Sequence, residues 1–83
     1  MFERSRIEAA VCRILGPYLG RSMAKAAVDG HWRILSPDRD VLDTDQLGPL
    51  LERLRKGLTL FVGTENAARL KEQLKRELER EVE

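Results

Sequence analysis

Residues 7–27 read Ile7-Glu8-Ala9-Ala10-Val11-Cys12-Arg13-Ile14-Leu15-Gly16-Pro17-Tyr18-Leu19-Gly20-Arg21-Ser22-Met23-Ala24-Lys25-Ala26-Ala27. Apolar side chains fall at Ile7, Val11, Ile14, Leu15, Tyr18, Leu19, Met23 and Ala26. Three- and four-residue steps of this kind lay one stripe along a helix. Glu8, Arg13, Arg21 and Lys25 take the other faces. A proline inside a helix removes one backbone hydrogen bond and crowds the preceding turn. Gly16-Pro17 therefore predicts one kinked helix, or two nearly collinear ones. Ser5 with Glu8 has the spacing of a capping box, and Asp29-Gly30 offers a stop. The stretch sets the expected fold class: an all-α bundle of three to four helices with a Gly-Pro kink in the first.

Toward the C-terminus, Asp43 to Val62 again reads helical, with Leu47, Leu50, Leu51, Leu54, Leu58, Phe61 and Val62 on one face. Asp43 followed by Gln46 gives a second capping box, and Asp45 suits the positive end of the helix dipole. Gly57 is the weak point. A helix ending there leaves residues 58–62 as a strand bounded by glycines. Pairing that strand with residues 31–35 gives the alternative, an α/β fold with a short two-stranded sheet and a right-handed crossover. Between the two helical stretches, Ser36-Pro37-Asp38 is turn chemistry, and Trp32, Ile34 and Leu35 are the expected core anchors.

Thr64 is the expected cap of a last helix from Glu65 to Glu83, with Ala67, Leu70, Leu74, Leu78 and Val82 as a narrow stripe. At 1.5 Å per residue such a helix is roughly 28 Å long, more than the rest of so small a domain is expected to cover. Leu70, Leu74, Leu78 and Val82 are thus the candidate interaction surface, for a homodimer or another helical protein. Residues 77–83 are expected to fray or to bind that partner. On this reading, Leu74→Glu with Leu78→Glu abolishes association and leaves the monomer folded.

The 83 residues carry a formal net charge of +1, split as +2 over residues 1–42 and −1 over residues 43–83. One domain, residues 1–83, is the expectation for this length. Neither half is a basic patch of the kind that neutralises phosphates. Apolar runs stop far short of the roughly 20 residues needed to cross a bilayer, so no membrane partner is expected. The N-terminal residues lack the basic and apolar regions of a secretory signal. With one cysteine, Cys12, the chain has no internal disulfide, and a reducing, cytoplasmic setting is expected.

Catalysis needs convergent groups with tuned protonation states, and no enzyme signature is present. His31 is the only histidine, flanked by Asp29 and Asp38, and reads as a loop anchor more readily than as a base. Asp38, Asp40, Asp43 and Asp45 alternate as in acidic calcium loops. Counting from Asp38, however, Asp43 and Pro49 stand where such a loop needs Gly and Glu. No metal site and no cofactor are expected. A nucleic-acid-binding regulator using Arg53, Arg55 and Lys56 is the alternative function. The basic residues of the last helix are interleaved with Glu65, Glu72, Glu77 and Glu79, which repel phosphates.

Leu15-Gly16-Pro17-Tyr18-Leu19-Gly20-Arg21 and Leu47-Gly48-Pro49-Leu50-Leu51-Glu52-Arg53 share Leu-Gly-Pro-x-Leu-x-Arg, which reads as chance or a common way of kinking a helix rather than as a true repeat. Ile14-Leu15-Gly16-Pro17-Tyr18-Leu19, followed by Met23 and Ala26-Ala27, resembles a small helical domain appended to some bacterial Ser/Thr kinases and forkhead-associated signalling proteins. That domain carries an aliphatic-Gly-Pro core with trailing small residues, and Asp45 through Leu54 resembles its second half. The chain departs from it at Phe61-Val62-Gly63, where that family has an Arg followed by an aromatic. The resemblance implies an accessory module without catalytic residues. It agrees with the expectation drawn from the residues themselves: a non-catalytic protein–protein interaction or dimerisation module.

Overall fold

Gly20 turns the chain back on itself. In the computed structural model, which describes residues 1–82 (side chains through Arg80), its φ is +85° and ψ 149°. That region is essentially closed to residues with a Cβ. Helix α1 (Arg4–Leu19) ends there, and helix α2 (Arg21–Leu35) begins at the next residue and packs along α1. The expectation of one kinked helix, or of two nearly collinear ones, across residues 7–27 is therefore corrected: there are two helices, folded against each other. Gly16-Pro17 lies within the last turns of α1, which runs on to Leu19.

The phase of the apolar pattern shifts at the same joint. Inside α1 the buried residues are Ile7, Ala10, Val11, Ile14 and Leu15, whereas α2 buries Ala24, Val28 and Trp32. Tyr18, Met23 and Ala26, expected on the inward stripe, are exposed. Helix α2 also passes through Gly30, the expected stop, because Trp32 one turn beyond Val28 belongs to the core. The Ser5 cap is likewise corrected: α1 starts at Arg4, with Glu3 at its N-cap making no side-chain cap bond.

Two short strands, β1 (Phe2–Glu3) and β2 (Val41–Leu42), pair antiparallel with Phe2 opposite Leu42. They clasp the N-terminus to the middle of the chain. The Arg4 N–H extends the contact by donating to the Asp40 carbonyl at 2.8 Å. The α/β alternative is overturned, since residues 31–35 and 58–62 lie in helices and this tiny sheet uses neither.

Helix α3 (Thr44–Val62) follows, with the expected Asp43/Gln46 capping box formed. The Gln46 Oε1 accepts the Asp43 N–H at 2.9 Å, and its Nε2 donates to the Leu35 carbonyl at 2.9 Å, tying the start of α3 to the end of α2. Gly57 does not interrupt the helix. Gly63, with φ +86° and ψ 165°, makes a second one-residue joint into α4 (Thr64–Val82). Thr64 is the first helical residue, not the cap.

The molecule is thus an all-α bundle of two helical hairpins, α1–α2 and α3–α4, with α1 against α4 and α2 against α3. Both joints demand glycine. Gly63→Ala is expected to cost about 1–3 kcal/mol, the usual size of a strained φ/ψ in this region. Chemical denaturation would read it as a lower midpoint with an unchanged slope.

Candidate functional site

Leu70, Leu74 and Leu78 are the first residues to place. All three are buried in the chain's own core, Leu74 at 0% and Leu78 at 1% exposure, and Ala67 is buried with them. The side chain of Val82 lies outside the described residues. The expectation that this stripe is an open partner surface is therefore corrected. The physical reason is dimensional: a helix of about 28 Å lies within a body whose longest extent is 30 Å, with both α3 and α1 alongside. Glu77, placed at the start of the expected fray, pairs with Arg13 of α1.

Arg53, Arg55 and Lys56 lie together near the middle of α3 but differ in state. The Arg55 guanidinium is committed to Glu52, its Nε donating at 3.0 Å, and Lys71 Nζ of α4 donates to the same carboxylate at 2.8 Å. These two cations hold the Glu52 carboxyl at about 2, well below its ordinary 4.5, with the Arg55 hydrogen bond the larger cause and Lys71 next. A carboxylate whose folded pKa is depressed adds stability above its unfolded pKa and loses it as pH falls. The native protein should therefore lose stability between about pH 4.5 and 2 more steeply than Glu52→Gln. Thermal melts at neutral and acid pH test this, and equal slopes would refute it. The difference is small, because the three groups are still partly exposed to solvent. Arg53 and Lys56 are exposed and make no ion pair among the described residues.

The unexpected feature lies beside them. Helix α2 meets α3 less extensively than α1 meets α2 or α4, or α3 meets α4, and the seam opens into an apolar crevice of about 90 Å³. Buried Leu15, Leu54 and Leu58 form its floor; Met23, Ala27 and Phe61 form its walls. At Gly57, on its edge, a methyl group would meet nothing. Ligand pockets run to roughly 300–1,000 Å³, so this crevice suits one side-chain tip rather than a small-molecule substrate.

Apolar surface extends outward from the crevice. Met23, Ala27, Gly30 and Ile34 are spaced 4-3-4 along α2 and so share one face. Ile34 is 60% exposed, and on α3 Phe61 is 58% and Leu60 87% exposed. Phe61, expected inside, thus stands at the rim. The 4-3-4 spacing was available in the sequence, but it becomes a separate outward face only once Gly20 has broken the phase.

His31 sits in the same crevice rather than in a loop. Burial, and then the charge of Arg53, lower its pKa from 6.5. A neighbouring cation is the opposite of the carboxylate that orients a general base, and no His31–carboxylate hydrogen bond forms among the described residues. The aspartates serve the backbone and charge balance: Asp43 caps α3 and pairs with Arg39, and Asp29 pairs with Arg4. Among the described residues no group of three or more His, Cys, Asp or Glu converges as a metal site. No helix among them is long and apolar enough to cross a membrane.

A larger depression of about 760 Å³ lies along the outer side of α1 and α2, where Cys12 is half-buried beside Glu8, Arg13, Arg21 and Lys25. It is open to solvent, and no buried polar side chain points into it unsatisfied. No family model, curated protein or solved structure matches the chain.

Proposed function

We propose that the chain is a non-catalytic protein–protein interaction module, and that its contact surface is the α2–α3 face rather than the stripe of α4. One observation carries this reading. The chain buries Leu70, Leu74 and Leu78 fully, yet holds Met23 and Phe61 out in solvent at the walls of an apolar crevice, with Ile34 and Leu60 exposed on the same two helices. Large apolar side chains gathered into one exposed patch mark interaction sites, whereas scattered ones need no explanation. The Gly-Pro segment resembling accessory domains of bacterial signalling proteins agrees with such a role, in a cytoplasmic setting.

A nucleic-acid-binding regulator is the other reading, favoured by the two cations Arg53 and Lys56, which make no ion pair among the described residues. It predicts binding that weakens steeply with salt. The commitment of Arg55 to Glu52, and the apolar residues exposed on the same helix, speak for a protein instead.

The test compares the native chain with Met23→Glu/Phe61→Glu, whose sites are already exposed and whose helical circular dichroism should be unchanged. Sedimentation equilibrium reads self-association, and affinity capture reads other partners. The double variant is expected to lose whatever association the native chain makes. Identical behaviour of the two chains refutes the reading.

A further inference from the structure

Taking the α2–α3 face as the contact surface, as proposed above, its charges narrow what fits it. Helices α2 and α3 together hold six basic side chains against three acidic ones, but Arg21 and Lys25 line the depression between α1 and α2 and Arg55 is held by Glu52, which leaves Arg33, Arg53 and Lys56. The acids are placed away from the crevice rim or already engaged. Asp29 is turned to Arg4, Glu52 to Arg55 and Lys71, and Asp45 lies in the first turn of α3, at the far end from Phe61. Arg33, Arg53 and Lys56, by contrast, are exposed and make no ion pair among the described residues. Arg53 stands close enough to His31 of the crevice for its charge to act on the imidazole, and Lys56 lies one helical turn from the exposed Leu60.

Three occupants can cover an apolar face of this kind: a second copy, a lipid surface or a different protein. A second copy apposes this cationic rim to itself, and like charges across an interface are unfavourable. A bilayer surface presents no side chain to fill a crevice of about 90 Å³. An amphipathic helix supplies both requirements, an apolar knob for the crevice and carboxylates for its rim. Met23 and Ile34, three turns apart on α2, span about 16 Å at 1.5 Å per residue, which matches the i, i+4, i+7, i+11 positions of a docked helix.

We propose that the α2–α3 face docks an acidic amphipathic helix of a partner protein, with one apolar side chain seated between Met23 and Phe61 and its carboxylates meeting Arg53 and Lys56.

A displayed library of random peptides of about 16 residues, roughly four helical turns, selected on the full chain provides the probe. Enriched peptides are expected to carry net negative charge and apolar residues at helical spacing. They should bind about tenfold more weakly to Arg53→Glu/Lys56→Glu, the size expected from reversing two exposed charges, and not at all to Met23→Glu/Phe61→Glu. Neutral or basic winners, or no enrichment, overturn the proposal. So does tighter binding to phosphatidylglycerol vesicles than to any selected peptide, or self-association lost in Met23→Glu/Phe61→Glu. Binding lost in Met23→Glu/Phe61→Glu but indifferent to Arg53→Glu/Lys56→Glu overturns the acidic partner while leaving the contact face standing. Binding indifferent to both pairs overturns the face as well.

Discussion

Leu74→Glu is expected to leave the protein unfolded at room temperature, with its helical circular dichroism lost before any question of association arises. Leu74 is fully buried in the core formed by all four helices. Truncating such a leucine costs about 2–5 kcal/mol, and an unpaired buried carboxylate adds several more unless it is protonated. A chain of this length has about 4–12 kcal/mol of total stability, on the general scale of roughly 0.05–0.15 kcal/mol per residue. The substitution therefore removes most or all of it. Leu78→Glu acts in the same way. A folded Leu74→Glu monomer obtained from a native dimer would show that the α4 stripe faces a partner after all.

Trp32→Ala is expected to be the other severe change. Trp32 is 1% exposed, and its Nε1–H donates to the Arg39 carbonyl at 2.7 Å. The Arg4 guanidinium stands 5.6 Å from its ring centre. Removing it opens a large cavity, worth about 3–5 kcal/mol, and leaves the Arg39 carbonyl without its partner. The same side chain pins the connection between α2 and β2, where the Ser36 hydroxyl donates to the Val41 carbonyl at 3.0 Å. Loss of the clasp between Phe2–Glu3 and Val41–Leu42 should accompany the drop in stability, visible as fast amide exchange at residues 2, 3, 41 and 42. A Trp32→Ala protein as stable as the native one would mean that the ring fills no essential volume. Trp32→Phe should recover much of the packing but not the hydrogen bond.

The helical class and the start of α3 were legible because Leu47, Leu50, Leu51, Leu54 and Leu58 keep one phase and the cap residues, Asp43 and Gln46, sit at the diagnostic spacing. Its passage through Gly57 was not, because residues 58–62 between two glycines fit a strand as well as a helix. The turn at Gly20 was not legible, and the reason is local. Leu19 and Met23 are four residues apart, so the stripe reads as continuous although the backbone reverses between them. The true inward set of α2, Ala24-Val28-Trp32, lies one residue out of phase and begins with a small side chain that gives little hydrophobic signal. Leu70, Leu74 and Leu78 were recognised as an apolar face, but a one-dimensional pattern records that a face wants covering and not what covers it. The antiparallel return of α4 along α3, set by the positive φ of Gly63, together with α1 packed against α4, supplies that cover. The crevice followed from neither helix alone, since its floor and walls come from α1, α2 and α3.

The one-residue joints at Gly20 and Gly63 also bear on how fast the chain finds its structure. Each hairpin closes with almost no intervening loop, so little chain entropy is lost before its first contacts form. Chains dominated by such near-neighbour contacts reach the native state in times on the order of microseconds to milliseconds. The longest closure left to this molecule is the meeting of the two hairpins, α1 against α4, where Arg13 and Glu77 pair across 64 residues of chain.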